Sequence, residues 1–212
     1  MGEIAAIILA AGRSSRFNAG PHDTKLVVPL SGKPLVRHVA EAALASRARP
    51  ILVVTGHAAP KIAAALAGLD LSLVENPKHQ AGLSSSLKAG IAALPETARG
   101  AVILLADMPR VSGALIDRLI QAFEASVKPP HAVAPVRAGL RGNPVLIGRP
   151  LFDPVAHLEG DRGARLLIEA AGEGLLECPV DDDAIEIDVD TKDALRRLEA
   201  EEANAGRPVS HT

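Results

Sequence analysis

Three cations and a run of small residues crowd together near the amino end, in Leu9-Ala10-Ala11-Gly12-Arg13-Ser14-Ser15-Arg16-Phe17 with Lys25 shortly after. Gly12 lets a backbone come close to a ligand, loop amides can point at phosphate oxygens, and Arg13, Arg16 and Lys25 can neutralise a polyanion. A solvated loop with ordinary surface cations fits the same residues. Further on, Ala106-Asp107-Met108-Pro109 sets an acid at the end of the apolar run Ala101–Ala106. A carboxylate there attracts Mg2+, a hard ion that takes few protein ligands and completes its shell with phosphate oxygens and water. A second acid would help, and Ile187-Asp188-Val189-Asp190-Thr191 supplies two. Those acids could equally cap the helix that follows. The Ser84-Ser85-Ser86 run after Gly82 is open in the same way, as helix caps or as hydroxyls for a polar ligand.

Other chemistries are excluded by their missing motifs. There is no G-x-G-x-x-G, and Gly32-Lys33 runs into Pro34 where a P-loop needs Ser or Thr. No G-x-S-x-G elbow or H-E-x-x-H occurs, and the 7 histidines are scattered. Three Phe with no Trp or Tyr leave no stacking platform for single strands, and a net charge of -2 gives no basic footprint for a duplex. Nucleic acid is therefore not an expected partner. The single Cys178 rules out an internal disulfide framework. The longest apolar run, Ile4–Ala11, is far short of the roughly 20 residues of a membrane span. It follows Glu3 with no Lys or Arg, unlike a signal peptide. The expectation is a cytoplasmic protein with no membrane partner.

The elements that must position these groups follow from hydrophobic periodicity. Ile4–Ala10, Ile51–Thr55, Leu71–Val74 and Ala101–Ala106 read as buried strands. Between them, helical spacing recurs at Val36, Val39, Ala40 and Ala43, at Ile62, Leu66 and Leu69, and at Leu83, Leu87, Ile91 and Leu94, with Ser84 or Ser85 as cap. Ser112 should cap a helix carrying Ile116, Leu119, Ile120 and Phe123. The second part is less regular, with strands expected at 132–136, 145–147, 175–180 and 185–189, and helices from near Pro150, Asp161 and Thr191. One domain over 1–203 is expected, its halves meeting near 128 and 129 at Lys128-Pro129-Pro130, with a frayed tail at 204–212.

Taken in order, LAAGRSSRF with Lys25, GLSSSLKAG at Gly82–Gly90, LLADMP at Leu104–Pro109, RGNPVLI at Arg141–Ile147, GDRGARLL at Gly160–Leu167 and IDVDT resemble the MobA-like nucleotidyltransferases from about Ile4 to Leu198. The resemblance is greatest to the branch of molybdenum cofactor cytidylyltransferases. It implies an α/β fold, a Rossmann-like, GT-A-like three-layer sandwich with a mostly parallel sheet. It also implies that Leu9, Ala10, Ala11, Gly12, Arg13, Lys25, Gly82, Ser84, Ser85 and Asp107 bind nucleotide. Asp107 would hold Mg2+ with Asp190, Asp188 standing in reserve, and Arg13, Arg16, Lys25 and Asp107 would carry catalysis. Arg141, Gly142, Asn143 and Pro144, readable alone as a turn before a strand, fall on the acceptor side. The implied reaction passes CMP from CTP to a molybdopterin-type phosphate, and a molybdoenzyme client would follow. The branch rests on Ala11, since guanylyl members read LAGG where this chain reads LAAG. Guanylyl transfer, another small acceptor and a non-catalytic cofactor carrier remain the alternatives.

Overall fold

Seven consecutive buried residues form the first strand, β1 (Ile4–Ala10), and their side chains alternate between two cores. Ile4, Ala6, Ile8 and Ala10 pack on one face of the sheet with Val36, Val39, Ile62, Ile116 and Leu119. Ala5, Ile7 and Leu9 pack on the other with Leu87, Leu151 and Val155. A strand apolar on both faces must be covered on both, which makes the protein a helix–sheet–helix sandwich. The computed structural model describes residues 3–14, 17, 23–158 and 168–205.

The principal elements that follow are α1 (Leu35–Ala45), β2 (Ile51–Thr55), α2 (Ala59–Ala65), β3 (Ser72–Glu75), α3 (Leu83–Ala92), β4 (Gly100–Leu105), α4 (Gly113–Ala125), β5 (Ala132–Arg137), β6 (Val145–Gly148), α5 (Phe152–Ala156), β7 (Leu175–Pro179) and α6 (Lys192–Ala205). The sheet runs β7-β5-β6-β4-β1-β2-β3, with the short strand Leu140–Arg141 paired to β5. β1 pairs in parallel with β2 and β4, and β2 with β3, so the carboxyl ends of four strands open on one edge. β6 is antiparallel to β4 and β5. Strands from both sides of the Lys128-Pro129-Pro130 turn therefore share one sheet. Among the described residues no helix is long and apolar enough to cross a membrane.

Three expectations need correction. Residues 185–189 form no strand: Asp183–Ile185 is a 3-10 turn, and the backbone beyond it bonds to loops, with Asn143 N donating to Ile185 O and Val189 N to Asp107 O. Those bonds occupy groups that a ladder would need. Neither Ser84 nor Ser85 caps α3, because the cap position belongs to Gly82 at φ +94°, a backbone that favours glycine, and the serines lie inside the first turn. The last helix runs to Ala205, so Asn204 and Ala205 are helical rather than frayed. The helix expected from Asp161 and the tail beyond Ala205 lie outside the described residues.

Close packing against β1 gives a stability test. A Cβ on Gly90 of α3 would stand 2.6 Å from Ile7 Cγ2 and 3.1 Å from Val54 Cγ2. Overpacking of this kind costs about 1–3 kcal/mol, against about 1 kcal/mol gained by alanine in a helix. Gly90→Ala should lower the denaturation midpoint by a net loss of about 1 kcal/mol. A raised midpoint would contradict this packing.

Candidate functional site

β1 and β4 lie side by side and in parallel, so the loops that leave them emerge together. The first carries Ala11, Gly12, Arg13 and Ser14, the second Asp107. Lys25 reaches the same place from a 3-10 turn, Lys25–Val27, whose cap Thr24 accepts from Leu26 N. Ser14, in the left-handed region at φ +53°, accepts the Lys25 amide on its hydroxyl at 3.1 Å. The segment before α6 is brought in by the Val189 N bond of 2.9 Å to Asp107 O. Residues distant in the chain thus share one edge of the sheet.

The Lys25 Nζ lies 2.7 Å from Asp107 Oδ2 and 2.6 Å from Asp190 Oδ1. Its side chain is 9% exposed, and Asp107 and Asp190 are 20% and 36% exposed. Burial pulls the ammonium's pKa down, but Asp107 foremost and Asp190 outweigh it, and the net shift is upward from 10.5. Lys25 is therefore charged throughout the neutral range. Asp188 reaches solvent, yet partial burial first, then the Asp190 and Asp107 carboxylates, push its own carboxyl above the ordinary range, with Lys25 opposing less strongly.

Around this cluster opens a cleft of about 360 Å³ lined by Leu9, Ala11, Gly12, Ser14, Lys25, Leu26, Leu83, Leu105, Asp107 and Asp190. A second cleft of about 280 Å³ shares Ala11, Gly12 and Leu83 with it and adds Arg13, His79, Gln80, Gly82 and Ser86. One side holds the charged cluster and the other is polar and largely uncharged, an arrangement that suits a ligand with a phosphate end and a ring end.

Of the residues expected from sequence, Leu9, Ala11, Gly12, Arg13, Lys25, Gly82, Asp107 and Asp190 line one or both clefts. Ala10 is buried at the end of β1. Ser84 is buried, and the Ser85 hydroxyl bonds to the Gly82 and Lys78 carbonyls at 2.7 and 3.0 Å. Arg141, Gly142, Asn143 and Pro144 line neither cleft. Arg141 Nε donates to Glu177 Oε1 at 2.7 Å, and a Cβ on Gly142 would stand 2.3 Å from Ile185 O. Arg16 and the Gly160–Leu167 motif lie outside the described residues.

Sequence reasoning missed His79 and Gln80, and behind them Asn76, while Ser86, from the serine run left open between cap and ligand hydroxyl, does line the second cleft. The buried Asn76 donates through Nδ2 to Ser85 Oγ at 2.8 Å and to Ser86 Oγ at 3.1 Å, and accepts from Lys78 N at 3.0 Å. It fixes the loop that forms the second cleft. Asn76-Pro77 was readable as a turn signal, but nothing in the spacing linked it to the serines.

A parallel-stranded sheet with a small-residue loop and a lysine-bridged pair of acids at its carboxyl edge defines a nucleotide-binding α/β protein. The chain belongs to the MobA-like NTP transferase family, whose model matches residues 6–175. It carries the nucleotidyltransferase fold of that family, which typically works with a divalent metal. It is 29% identical to nicotine blue oxidoreductase of Paenarthrobacter nicotinovorans over 201 residues, covering 92% of this chain and 96% of that protein. It is 30% identical to bifunctional protein GlmU of Francisella philomiragia over 76% of this chain, but spans only 34% of that protein's length. Among solved structures, Rv0371c from Mycobacterium tuberculosis H37Rv matches with a TM-score of 0.79 and 28% identity, covering 94% of this chain and 98% of that one. A complex of Rv0371c with manganese matches with a TM-score of 0.76.

Proposed function

We propose that the protein transfers CMP from CTP to the phosphate of a molybdopterin-type cofactor and releases pyrophosphate. The observation that supports it most is the Lys25 ammonium shared between Asp107 and Asp190 at the edge where the Ala11–Gly12 loop opens. Two carboxylate oxygens within reach of one ammonium are close enough to share a cation. Among the described residues no group of three or more His, Cys, Asp or Glu side chains gathers to cage a metal. Two carboxylates alone suit Mg2+, which takes one or two and leaves room for phosphate oxygens and water. Asp190, which meets Lys25, is favoured over the exposed Asp188 as partner of Asp107. When bound, Mg2+ would neutralise phosphate charge and polarise the reacting phosphoryl group.

The protein's own residues position and stabilise. An oxygen of the acceptor phosphate forms a bond to the α-phosphorus, the bond to the bridging β-phosphate oxygen breaks, and that oxygen leaves with pyrophosphate. A phosphate is already ionised at neutral pH, so no general base is required. Lys25 would face the charge gathering on the leaving group, with Arg13 of the adjoining cleft adding positive charge nearby. The test is pyrophosphate release with each of the four NTPs, with and without molybdenum cofactor. Release with CTP and cofactor together supports the proposal, and none with any nucleotide contradicts it.

Choice of CTP over GTP rests on Ala11, which lines both clefts and is 4% exposed. A Cβ on Gly56 would come within 3.0 Å of the Ala11 methyl, so that methyl is packed inward and acts by holding the loop in place. Ala11→Gly should therefore raise kcat/KM for GTP relative to CTP by less than about tenfold. An unchanged ratio would remove Ala11 from the account, and a wild-type preference for GTP would replace cytidylyl by guanylyl transfer.

A second reading, reduction of an organic substrate, draws on the end-to-end match to nicotine blue oxidoreductase. Oxidation of NADH or NADPH without pyrophosphate release would favour it.

A further inference from the structure

The ammonium that joins Asp107 to Asp190 occupies the place of a cation shared by two carboxylates. The Lys25 backbone is pinned, its amide donating to Ser14 Oγ and its turn capped by Thr24. Its head is a compact charge on a flexible four-carbon stem. That stem lets the charge move within the cleft while the turn stays fixed. Leu9, Ala11 and Gly12 border the same cleft, so phosphates held at the loop would come within reach of the ammonium.

We propose that Lys25 is an internal counter-cation, which keeps divalent metal off the Asp107–Asp190 pair until nucleotide phosphates draw its ammonium away. With Lys25 between them, the two carboxylates already have a partner, and an entering ion must displace a positive charge from a partly buried site. Phosphate oxygens give that charge a new partner and free the carboxylate oxygens. Nucleotide and metal therefore bind with positive coupling, and each improves the site for the other by the same factor. The proposal rests on reading Asp107 and Asp190 as the cation ligands.

Mn2+ alone, followed by electron paramagnetic resonance without nucleotide, is the probe. Lys25→Met should bind Mn2+ at least about tenfold more tightly than wild type, whereas Lys25→Arg, which keeps the charge, should stay near wild type. Adding Asp107→Asn to Lys25→Met should abolish the gain. Equal affinity in wild type and Lys25→Met overturns the counter-cation. If the second substitution leaves the tight binding of Lys25→Met intact, the carboxylates are not the ligands and the underlying reading falls instead. Should Lys25→Met fail to fold, wild type decides alone: saturable micromolar Mn2+ binding without nucleotide overturns the proposal, and binding confined to the millimolar range is the expected result.

Discussion

Asp107→Ala is expected to lower turnover by about a hundredfold or more while the protein stays folded. The side chain stands in the turn after β4, outside the two hydrophobic cores, and is 20% exposed. Its structural contribution runs through the backbone, where Asp107 O accepts from Val189 N, and the substitution leaves that bond in place. Lys25 keeps Asp190 as partner, so no buried ammonium is stranded. What is lost is one of the two carboxylates proposed to hold the metal against the triphosphate. Steady-state kinetics with thermal melting separates the two effects. A near-normal rate, or a variant that does not fold, contradicts the role given to Asp107. Asp190→Ala should act similarly and Asp188→Ala more mildly, since Asp190 touches Lys25 and Asp188 is exposed. The reverse order would move the ligand to Asp188.

Lys25→Ala is expected to cut kcat/KM for CTP roughly ten- to a hundredfold, the loss of one charge-assisted phosphate contact worth about 1.5–3 kcal/mol. The variant should also bind divalent metal more tightly than wild type, because its carboxylates no longer share an ammonium. Opposite signs in two measurements on one protein distinguish this role from simple loss of structure, which would weaken both. Unchanged CTP affinity would take Lys25 off the phosphates.

Much of the scaffold is legible because it is written in local patterns. The apolar run Ile4–Ala10 and the β-branched, largely apolar Ile51–Thr55 become strands with those same bounds. Ser112 before Ile116, Leu119 and Phe123 caps α4 through its bond from Leu115 N. The acids around Val189 show where local pattern misleads. Alternation in Ile187-Asp188-Val189-Asp190 looks like a strand, but Val189 packs with Phe17, Leu30, Leu35, Leu195 and Leu198 in a separate core, and its amide serves Asp107. A capping serine and a serine within the first turn of a helix look alike in sequence, and only Gly82 at φ +94° decides between them. The site divides along the same line. Arg13, Lys25, Asp107 and Asp190 are visible as charges, whereas the bridge from Lys25 to the two acids is a tertiary contact between segments far apart in the chain. His79 and Gln80 line the second cleft beside Ser86, whose hydroxyl is held by Asn76, a link that no spacing announces.

The central claim is that this site moves a nucleotidyl group, and the fate of each phosphate of CTP tests it most directly. With Mg2+ and molybdenum cofactor, label at the α-phosphorus should appear in a product that joins cytidylate to the cofactor, and label at the γ-phosphorus should leave as pyrophosphate, both in wild type and both at least about a hundredfold more slowly in Asp107→Ala. Label released from the γ position as orthophosphate, or an α label that never joins the acceptor, would contradict nucleotidyl transfer at this site.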